Sequence, residues 1–213
     1  MSTPRVKYPR TRHLPWSPGV SPDDEVHADL ARLLGQPVVV TEKFDGENTT
    51  IYRDHVHARS LDSAHHPSRS WVKALAGRVG PLLPEGWRIC GENCFAVHSL
   101  QYADLPSYFL LFSVWDEQNR CLSWDETLEW AGLLELHTPT QLYRGPFDET
   151  ALRELANGLD LDRQEGYVVR LSAGFDYVDF GRCVAKWVRS GHVTTDAHWM
   201  QKAVVANGLR GEP

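Results

Sequence analysis

Cysteine is scarce and scattered in this sequence. The four cysteines are Cys90, Cys94, Cys121 and Cys183, and no two of them form a Cys-x-x-Cys pair. This spacing argues against both a zinc site and a disulfide framework. We therefore expect free thiols in a reducing compartment and predict a cytoplasmic protein.

Long apolar runs are also missing. No stretch is long enough to cross a bilayer and no signal peptide pattern is present, so no membrane partner is expected. Internal repeats, low-complexity tracts and linkers are absent as well. The 213 residues are 42% hydrophobic and 23% charged, which suits one large domain, or one domain with a small appendage, around a sizeable core.

An excess of positive charge is the third absence. The net charge of −6 argues against a protein that coats nucleic acid through bulk electrostatics. It still allows an enzyme with a local basic groove. Eight tryptophans are many for this length, and stacking planar ligands in a cleft is one use for them besides the core. The sequence leaves the oligomeric state open.

Residues 1–20 differ in charge from the rest of the chain. Four prolines rule out a regular helix there, and five basic side chains oppose the acidic total: Arg5, Lys7, Arg10, Arg12 and His13. A frayed terminus is one interpretation. Because Tyr8, Leu14 and Trp16 alternate with the cations, an extended arm packed over the domain is the other. We predict a basic arm over 1–20 and a single domain over 21–213.

The rest of the chain alternates between strand and helix patterns. Helices are predicted over 21–34, 70–79, 123–131, 148–157 and 195–206. Strands are predicted over 38–44, 49–53, 56–60, 87–92, 108–115, 165–171 and 183–189. Strands in adjacent groups with inserted helices favour an α+β domain built on antiparallel sheets.

The chain is organised around residues 42–48, which read EKFDGEN between two apolar strand patterns. Lys43 ends a buried strand beside a tight glycine turn. A lysine whose pKa is lowered by burial or by a neighbouring cation can attack carbonyl or phosphoryl centres. Asp45, Glu47 and Asn48 offer the oxygen donors that a divalent metal needs. A surface hairpin with a solvated Lys-Asp pair is the alternative.

Other short signals follow this stretch. A basic residue, two strand-end carboxylates, an aromatic residue in a buried run and a lysine in an apolar strand stand at Arg59, Glu92, Glu165, Phe112 and Lys186. Each is weak alone, since a strand-end acid or an outward lysine is a common structural feature. Their order along the chain carries more information than any one of them.

In this order the chain resembles the covalent nucleotidyltransferases, which include polynucleotide ligases and messenger-RNA capping enzymes. The family motif K-x-D-G-x-N matches residues 43–48, and five later motifs match at Arg59, Glu92, Phe112, Glu165-Gly166 and Lys186. The resemblance covers roughly residues 38–190. Within the family the chain looks most like RNA ligases of the RNA ligase 2 type, through residues 44–48, 91–98 and 165–170.

The resemblance implies an α+β nucleotidyltransferase domain, ATP-grasp-like, with the nucleotide between two antiparallel sheets flanked by helices. It implies ATP and Mg²⁺ or Mn²⁺ as cofactors and RNA with 5′-phosphate and 3′-hydroxyl ends as partner, as in RNA repair. In the family reaction a lysine takes AMP from ATP, the adenylate passes to the 5′-phosphate, and the 3′-hydroxyl then displaces AMP.

Four catalytic roles follow from the resemblance. Lys43 is the expected nucleophile, and its attack requires the neutral amine, so a bound metal or Lys186 should lower its pKa. Lys186 would stabilise charge on the α-phosphate. Glu165 would position the metal or its water shell. Asp45 would orient the lysine or metal waters.

Five nucleotide-binding roles follow in the same way. Glu92 would hold the ribose hydroxyl, and Phe112 would stack on adenine. Arg59 would contact the ribose or the 5′-phosphate. Asn48 would assist sealing, and Glu42 would contact the adenine edge.

The chain departs from the family pattern in two ways. Val188 stands where such ligases usually carry a second lysine, so Arg10, Arg12, His13 or Arg189 is expected to supply the missing charge to nucleotide or nucleic-acid phosphates. The 24 residues after Arg189 are too few for an oligonucleotide-binding domain, so end recognition could come from another chain. A DNA-joining ligase, use of GTP, and an end-binding module that has lost turnover remain alternatives.

Overall fold

The protein is described by a computed structural model over residues 4–27, 29–191 and 204–211. Within these residues the strands are β1 (Arg12–His13), β2 (Pro37–Lys43), β3 (Glu47–Tyr52), β4 (Val56–Ala58), β5 (Arg88–Asn93), β6 (Phe109–Trp115), β7 (Arg120–Cys121), β8 (Gln141–Pro146), β9 (Gly166–Leu171), β10 (Phe175–Asp176) and β11 (Val184–Val188). The α-helices are α1 (Ser70–Val79), α2 (Trp124–Leu133), α3 (Glu149–Asn157) and α4 (Phe180–Cys183). Short 3₁₀ turns lie at Pro67–Arg69, Gly80–Leu82 and Tyr177–Asp179.

The strands form two sheets. The first has the order β1-β11-β9-β2-β8, and the second has the order β10-β7-β6-β5-β3-β4. Neighbouring strands are antiparallel except β1, which pairs parallel to β11. The predicted α+β fold with two antiparallel sheets is therefore confirmed, with one parallel pair at the edge of the first sheet.

The predicted strands form because their apolar runs are buried. Val38, Val39 and Val40 of β2 are fully buried, as expected for a strand covered on both faces. Helix α3 packs on the first sheet through Leu152, and α1 packs on the second through Val72. Each of the two sheets is thus packed against at least one helix.

The predicted helix starts at residues 123 and 148 hold. Ser123 caps α2 by accepting from the Glu126 backbone, and the Glu126 carboxylate accepts from the Ser123 backbone in return. The Asp148 carboxylate accepts from the Ala151 backbone at the start of α3. Such caps satisfy backbone N–H groups that no helical carbonyl can reach.

The helix predicted over 21–34 is wrong. Part of its backbone bonds to β1, where His13 N donates to Glu25 O at 2.8 Å and His27 N donates to His13 O at 2.7 Å, and its internal bonds, such as Asp24 N to Ser21 O, close only isolated turns. Ser21 and Asp24 form a local turn, in which the Ser21 backbone donates to the Asp24 carboxylate. Partners supplied by a distant strand outweigh the local helix signal here.

One strand of the first sheet has no counterpart in the sequence predictions. The sequence does not indicate β8, because Gln141–Pro146 is an edge strand whose side chains are exposed or half-buried and show no apolar alternation. The helix predicted over 195–206 falls mainly on residues 192–203, outside the described part of the chain. Ala206, at its predicted end, forms an isolated bridge with Ala96.

Residues 4–20 pack against the domain, and β1 within them belongs to the first sheet. Leu14 is fully buried, and its backbone donates to Lys186 O at 2.7 Å. The Ser17 hydroxyl accepts from the Val188 backbone at 2.9 Å. In the described residues no helix is long and apolar enough to span a bilayer.

Candidate active site

One cleft of about 600 Å³ collects residues from both sheets and from the N-terminal segment. The predicted residues that line it are Lys43, Glu42, Asp45, Asn48, Arg59, Glu92, Phe112, Glu165, Lys186 and Arg10. These side chains are distant in sequence. The fold therefore brings together ten of the predicted residues, while their roles stay predictions.

Lys43 and Glu165 form the centre of the cleft. Lys43 ends β2 and pairs in register with Gly166, which begins β9 directly after Glu165. The Lys43 ammonium donates to Glu165 Oε2 and forms an ion pair with it. The Glu165 side chain is fully buried and that of Lys43 is 21% exposed. The amine of the predicted nucleophile is thus paired with a buried carboxylate.

Gly166, directly after Glu165, allows the backbone of β9 to approach β11 closely. A Cβ atom there would lie 2.0 Å from Trp187 O on β11, and the φ of Gly166 is +157°. Gly46 has a similar part in the turn after Lys43, where a Cβ would lie 2.6 Å from Asn93 O. The two glycines let the lysine and its carboxylate sit beside neighbouring backbones.

The pKa of Lys43 is raised above its ordinary value. Burial has the largest single effect and lowers this pKa, but Glu165, Glu92 and Asp45 together outweigh it. The protein's own residues therefore give no net lowering of this pKa, because carboxylates outweigh the repulsion from Lys186, and the lowering by a bound metal stays a prediction. Lys43 is an ammonium in this state and must lose a proton before it can act as a nucleophile.

Lys186 shows the opposite shift. Burial and the Lys43 ammonium lower its pKa, with opposing effects from Asp24 and Glu165. Its amine lies 3.7 Å from Asp24 Oδ1. Asp24 lines the cleft and was not predicted, because its position after Ser21-Pro22 was interpreted as a helix start.

Glu92 and Asp45 have different environments. Burial raises the pKa of Glu92 to about 8, with the carboxylates of Glu165 and Asp45 adding to the shift and Lys43 opposing it. Asp45 is buried, and its Oδ2 accepts from Ser99 N at 2.7 Å, Ser99 Oγ at 2.6 Å and Leu100 N at 3.1 Å. Asp45 therefore anchors the 99–100 loop to the lysine turn.

The polar side of the cleft lies beyond this turn. Glu47 accepts from the Arg69 guanidinium, with Arg69 Nε at 2.7 Å from Oε2. Asn48 Oδ1 is buried and has no hydrogen-bond partner among the described residues. Arg59 follows β4 and lines the same side. Arg69 was not predicted, since nothing in the local sequence marks its pairing with Glu47.

The apolar side of the cleft contains Phe112. Tyr8 of the N-terminal segment packs edge-on against its ring, with centroids 5.2 Å apart. Glu42 lies at the neighbouring strand end, where its backbone donates to Thr140 O at 2.8 Å. Burial raises the pKa of Glu42, and hydrogen bonds to Gln164 and Thr140 oppose this. A flat ring therefore lines this side together with the carboxyl group of Glu42.

The other predicted basic residues lie elsewhere. Arg12 donates to Glu25 at 2.9 Å, and neither Arg12 nor Arg189 is among the described residues that line the cleft. The Arg189 backbone donates to Glu165 O at 3.0 Å. His13 is 1% exposed, and burial together with Lys186 lowers its pKa to about 4, so it is neutral at pH 7. None of these three residues is among the described residues that line the cleft, and their role as phosphate contacts stays a prediction.

The donors in the cleft also bear on metal binding. Among the described residues no three His, Cys, Asp or Glu side chains are grouped to hold a metal ion. Magnesium commonly uses one or two carboxylates together with substrate phosphates and water. Glu165 and Glu92 could contribute to a site of that type, but not to an all-protein cage.

A sequence model of the RNA ligase family matches residues 36–188. No curated protein matches the chain. The structure of Naegleria gruberi RNA ligase with PPi is similar, with a TM-score of 0.54 and 19% identity over 87% of this chain and 61% of that one. A mutant of that ligase with ATP and Mn gives a TM-score of 0.53 and 18% identity over 75% and 52%.

An Aquifex aeolicus protein described as an ATP-dependent DNA ligase is also similar. Its TM-score is 0.55 at 20% identity, over 86% of this chain and 50% of that one. At such identities the likeness shows the fold alone. This chain spans between half and three fifths of the length of these ligases.

Proposed function

The chain belongs to the RNA ligase family, and from this premise we propose that it is an ATP-dependent RNA ligase. It joins 5′-phosphate and 3′-hydroxyl ends in three steps. Lys43 first takes AMP from ATP and releases pyrophosphate. The adenylate then passes to the 5′-phosphate, and attack by the 3′-hydroxyl seals the strand and releases AMP.

The observation that carries this proposal is the meeting of Lys43, Glu165 and Lys186 in one cleft. They come from three neighbouring strands or strand ends, β2, β9 and β11, in the order of the family motifs. A lysine, a carboxylate bonded to it and a second lysine are the groups that covalent nucleotidyl transfer uses.

ATP fits the cleft as substrate. Phe112 offers a ring for a base, and Glu42 lies beside it. On the polar side, Asn48 Oδ1 is buried and has no partner within the described part of the chain, so it would accept a hydrogen bond from a ligand. The ATP and Mn in the Naegleria gruberi ligase support the same nucleotide and a divalent metal here.

The first step requires a proton transfer. The Lys43 ammonium holds a proton against Glu165 Oε2, so this carboxylate is the nearest acceptor. Nζ then forms a bond to the α-phosphorus while the bond to pyrophosphate breaks. Lys186 neutralises charge on the phosphate as it develops.

A bound divalent metal would neutralise phosphate charge and lower the pKa of the lysine. Glu165, with Glu92 nearby, would hold it through water and substrate oxygens. The raised pKa of Lys43 supports a need for such a cation, since the protein's own carboxylates keep the amine charged.

In the sealing steps, Asn48 and Arg59 would face the nucleic-acid ends, and Arg10 would contact strand phosphates at the cleft rim. RNA is the proposed substrate because of the family. DNA is the second candidate, favoured by the likeness to the Aquifex aeolicus protein.

The decisive experiment is incubation with labelled ATP or GTP and Mg²⁺ or Mn²⁺, followed by denaturation. We expect label to stay on the protein with ATP. Nicked or single-stranded RNA and DNA substrates then separate the two candidates by the rate of sealing. A protein that binds ends but never retains label would be an end-binding module, and the proposal would be wrong.

A further inference from the structure

Each lysine of the cleft faces its own carboxylate. Lys43 is bonded to Glu165, which belongs to the matched family region. Lys186 faces Asp24, with its amine 3.7 Å from Oδ1. Asp24 lies before residue 36, where the match to the family begins. The family match thus accounts for the first pair, and the N-terminal segment supplies the second.

The Asp24 carboxylate is held by its own segment. Ser21 donates to Oδ2 twice, from N at 3.1 Å and from Oγ at 2.7 Å. His13 Nε2 lies 3.3 Å from the same oxygen. Oδ2 is therefore fixed from several sides, while Oδ1 is directed toward Lys186.

The contacts continue behind His13 to the end of β11. His13 Nδ1 lies 2.8 Å from Ser17 Oγ, and Ser17 accepts from the Val188 backbone at 2.9 Å. Polar contacts thus run from Val188 through Ser17, His13 and Asp24 to Lys186, with the neutral His13 ring packed against Asp24 at 3.3 Å without a hydrogen bond between them. They begin and end on one strand, at the two positions where ligases of this type usually carry lysines.

The Lys186–Asp24 ion pair is partly shielded from solvent. The side chains of Lys186 and Asp24 are 18% and 22% exposed. A charge pair of this kind keeps its geometry better than one in open solvent, where screening and side-chain entropy dominate. Lys186 also experiences the Lys43 ammonium and the Arg59 guanidinium, so a local anion opposes the repulsion from both.

We propose that Asp24 is a positioning residue that holds the Lys186 ammonium where the α-phosphate binds, with Ser21 donating to its other carboxylate oxygen and His13 packed behind it. The catalytic consequence rests on the proposed ligase function. The N-terminal segment then compensates for Val188 by fixing the one lysine that remains on this strand, and not by adding a cation.

The test compares Asp24→Asn with Glu25→Gln. Both remove one carboxylate from the same segment, but Glu25 pairs with Arg12, which does not line the cleft. The amine pKa of Lys186 is measured by NMR in lysine-labelled full-length protein, with Lys186→Arg identifying its signal. We expect Asp24→Asn to lower this pKa by about one unit, as loss of a close anion does, and Glu25→Gln to leave it unchanged.

The same variants are assayed for single-turnover formation of the AMP adduct. We expect Asp24→Asn to slow it ~10-fold at saturating ATP, since a misplaced charged group costs rate even when substrate still binds. Asp24→Glu should recover most of the rate. Amide spectra of each variant verify the fold.

Three outcomes would overturn the proposal. Equal Lys186 pKa values in Asp24→Asn and wild type would show that Asp24 does not pair with Lys186. An equal pKa shift in Asp24→Asn and Glu25→Gln would show the same. A shifted pKa with an unchanged adduct rate would remove the positioning role. If wild-type protein forms no adduct, the ligase function fails, while the NMR comparison still decides whether Asp24 holds Lys186.

Discussion

At the scale of single residues, the charge state of Lys43 governs what the cleft can do. Its ammonium is stabilised by the Glu165 carboxylate, which favours the charged amine and so opposes nucleophilic attack. Glu165 in turn is fully buried, so it depends on that ammonium. A change at either residue therefore affects chemistry and stability together.

Lys43→Ala should abolish the AMP adduct, because no other amine takes its place. It should still seal RNA that already carries a 5′-adenylate. Loss of the ammonium leaves Glu165 buried without its charge partner, so we expect the free energy of unfolding to fall by up to about 3 kcal/mol. Lys43→Ala/Glu165→Gln should regain stability in denaturant titrations. A normal adduct yield in Lys43→Ala would exclude Lys43 as the nucleophile.

Glu92 gives a pH prediction. Its folded pKa is about 8 against an ordinary value of 4.5, so the folded state holds the proton more tightly than the unfolded state. The stability that comes from the neutral side chain is present at low pH and is lost as pH rises from about 4.5 to 8. Glu92→Gln should therefore raise Tm relative to wild type more at pH 9 than at pH 5. An equal change in Tm at both pH values would contradict the assignment.

At the scale of secondary structure, backbone approach explains why two glycines flank the lysine pair. The strand bearing Gly166 lies so close to β11 that a methyl group would overlap Trp187 O. Helix α1 contains a glycine, Gly77, with no neighbour within 4 Å of the position that a Cβ would take. Gly166 is crowded by a neighbouring backbone and Gly77 is not, so the same Gly→Ala change at the two positions separates the effect of crowding from that of the added methyl group.

Gly166→Ala should destabilise the fold by about 1–3 kcal/mol or more, since the methyl group forces β9 and β11 apart. Gly77→Ala should instead stabilise it by ~0.5–1 kcal/mol, because alanine favours the helix interior. Urea denaturation measures both. Equal effects of the two variants would show that β11 does not approach Gly166 as described.

The elements also show what the sequence could predict. Every predicted strand is present, since apolar runs such as that of β2 carry their own signal. The helix predicted over 21–34 is wrong because a local sequence pattern does not reveal hydrogen bonds to β1. The position of Asp24 in the cleft could not be predicted for the same reason. The motif residues were found because their order is a family property. Partners joined only by the fold, such as Glu47 with Arg69, left no signal in the sequence.

At the scale of the whole molecule, residues 4–20 and the domain form one unit in the described structure. β1 extends the first sheet, and Leu14 is part of its core. The boundary predicted at residue 20 separates a charged segment from the rest in composition, but the hydrogen bonds cross it, as between Ser17 and Val188.

Deletion of residues 1–20 should therefore lower both stability and adduct formation. The loss includes a core leucine, the pairing with β11 and the support behind Asp24, so a marked drop in Tm is expected. The quadruple variant Arg5→Ser/Lys7→Ser/Arg10→Ser/Arg12→Ser keeps the chain but removes its charge, and it serves as the control for electrostatics. A truncated protein with wild-type Tm and adduct rate would show that this segment merely covers the surface.

The parallel pairing of β1 with β11 also sets the order in which the molecule can be completed. Ser17 and Val188 are 171 positions apart, yet they close the same edge of the sheet. During synthesis the first strand leaves the ribosome long before its partner exists, and contacts between distant segments form slowly. The Lys186 side of the cleft therefore cannot be completed until the chain has been translated as far as Val188, so its two halves meet only after the intervening sheet residues have been made.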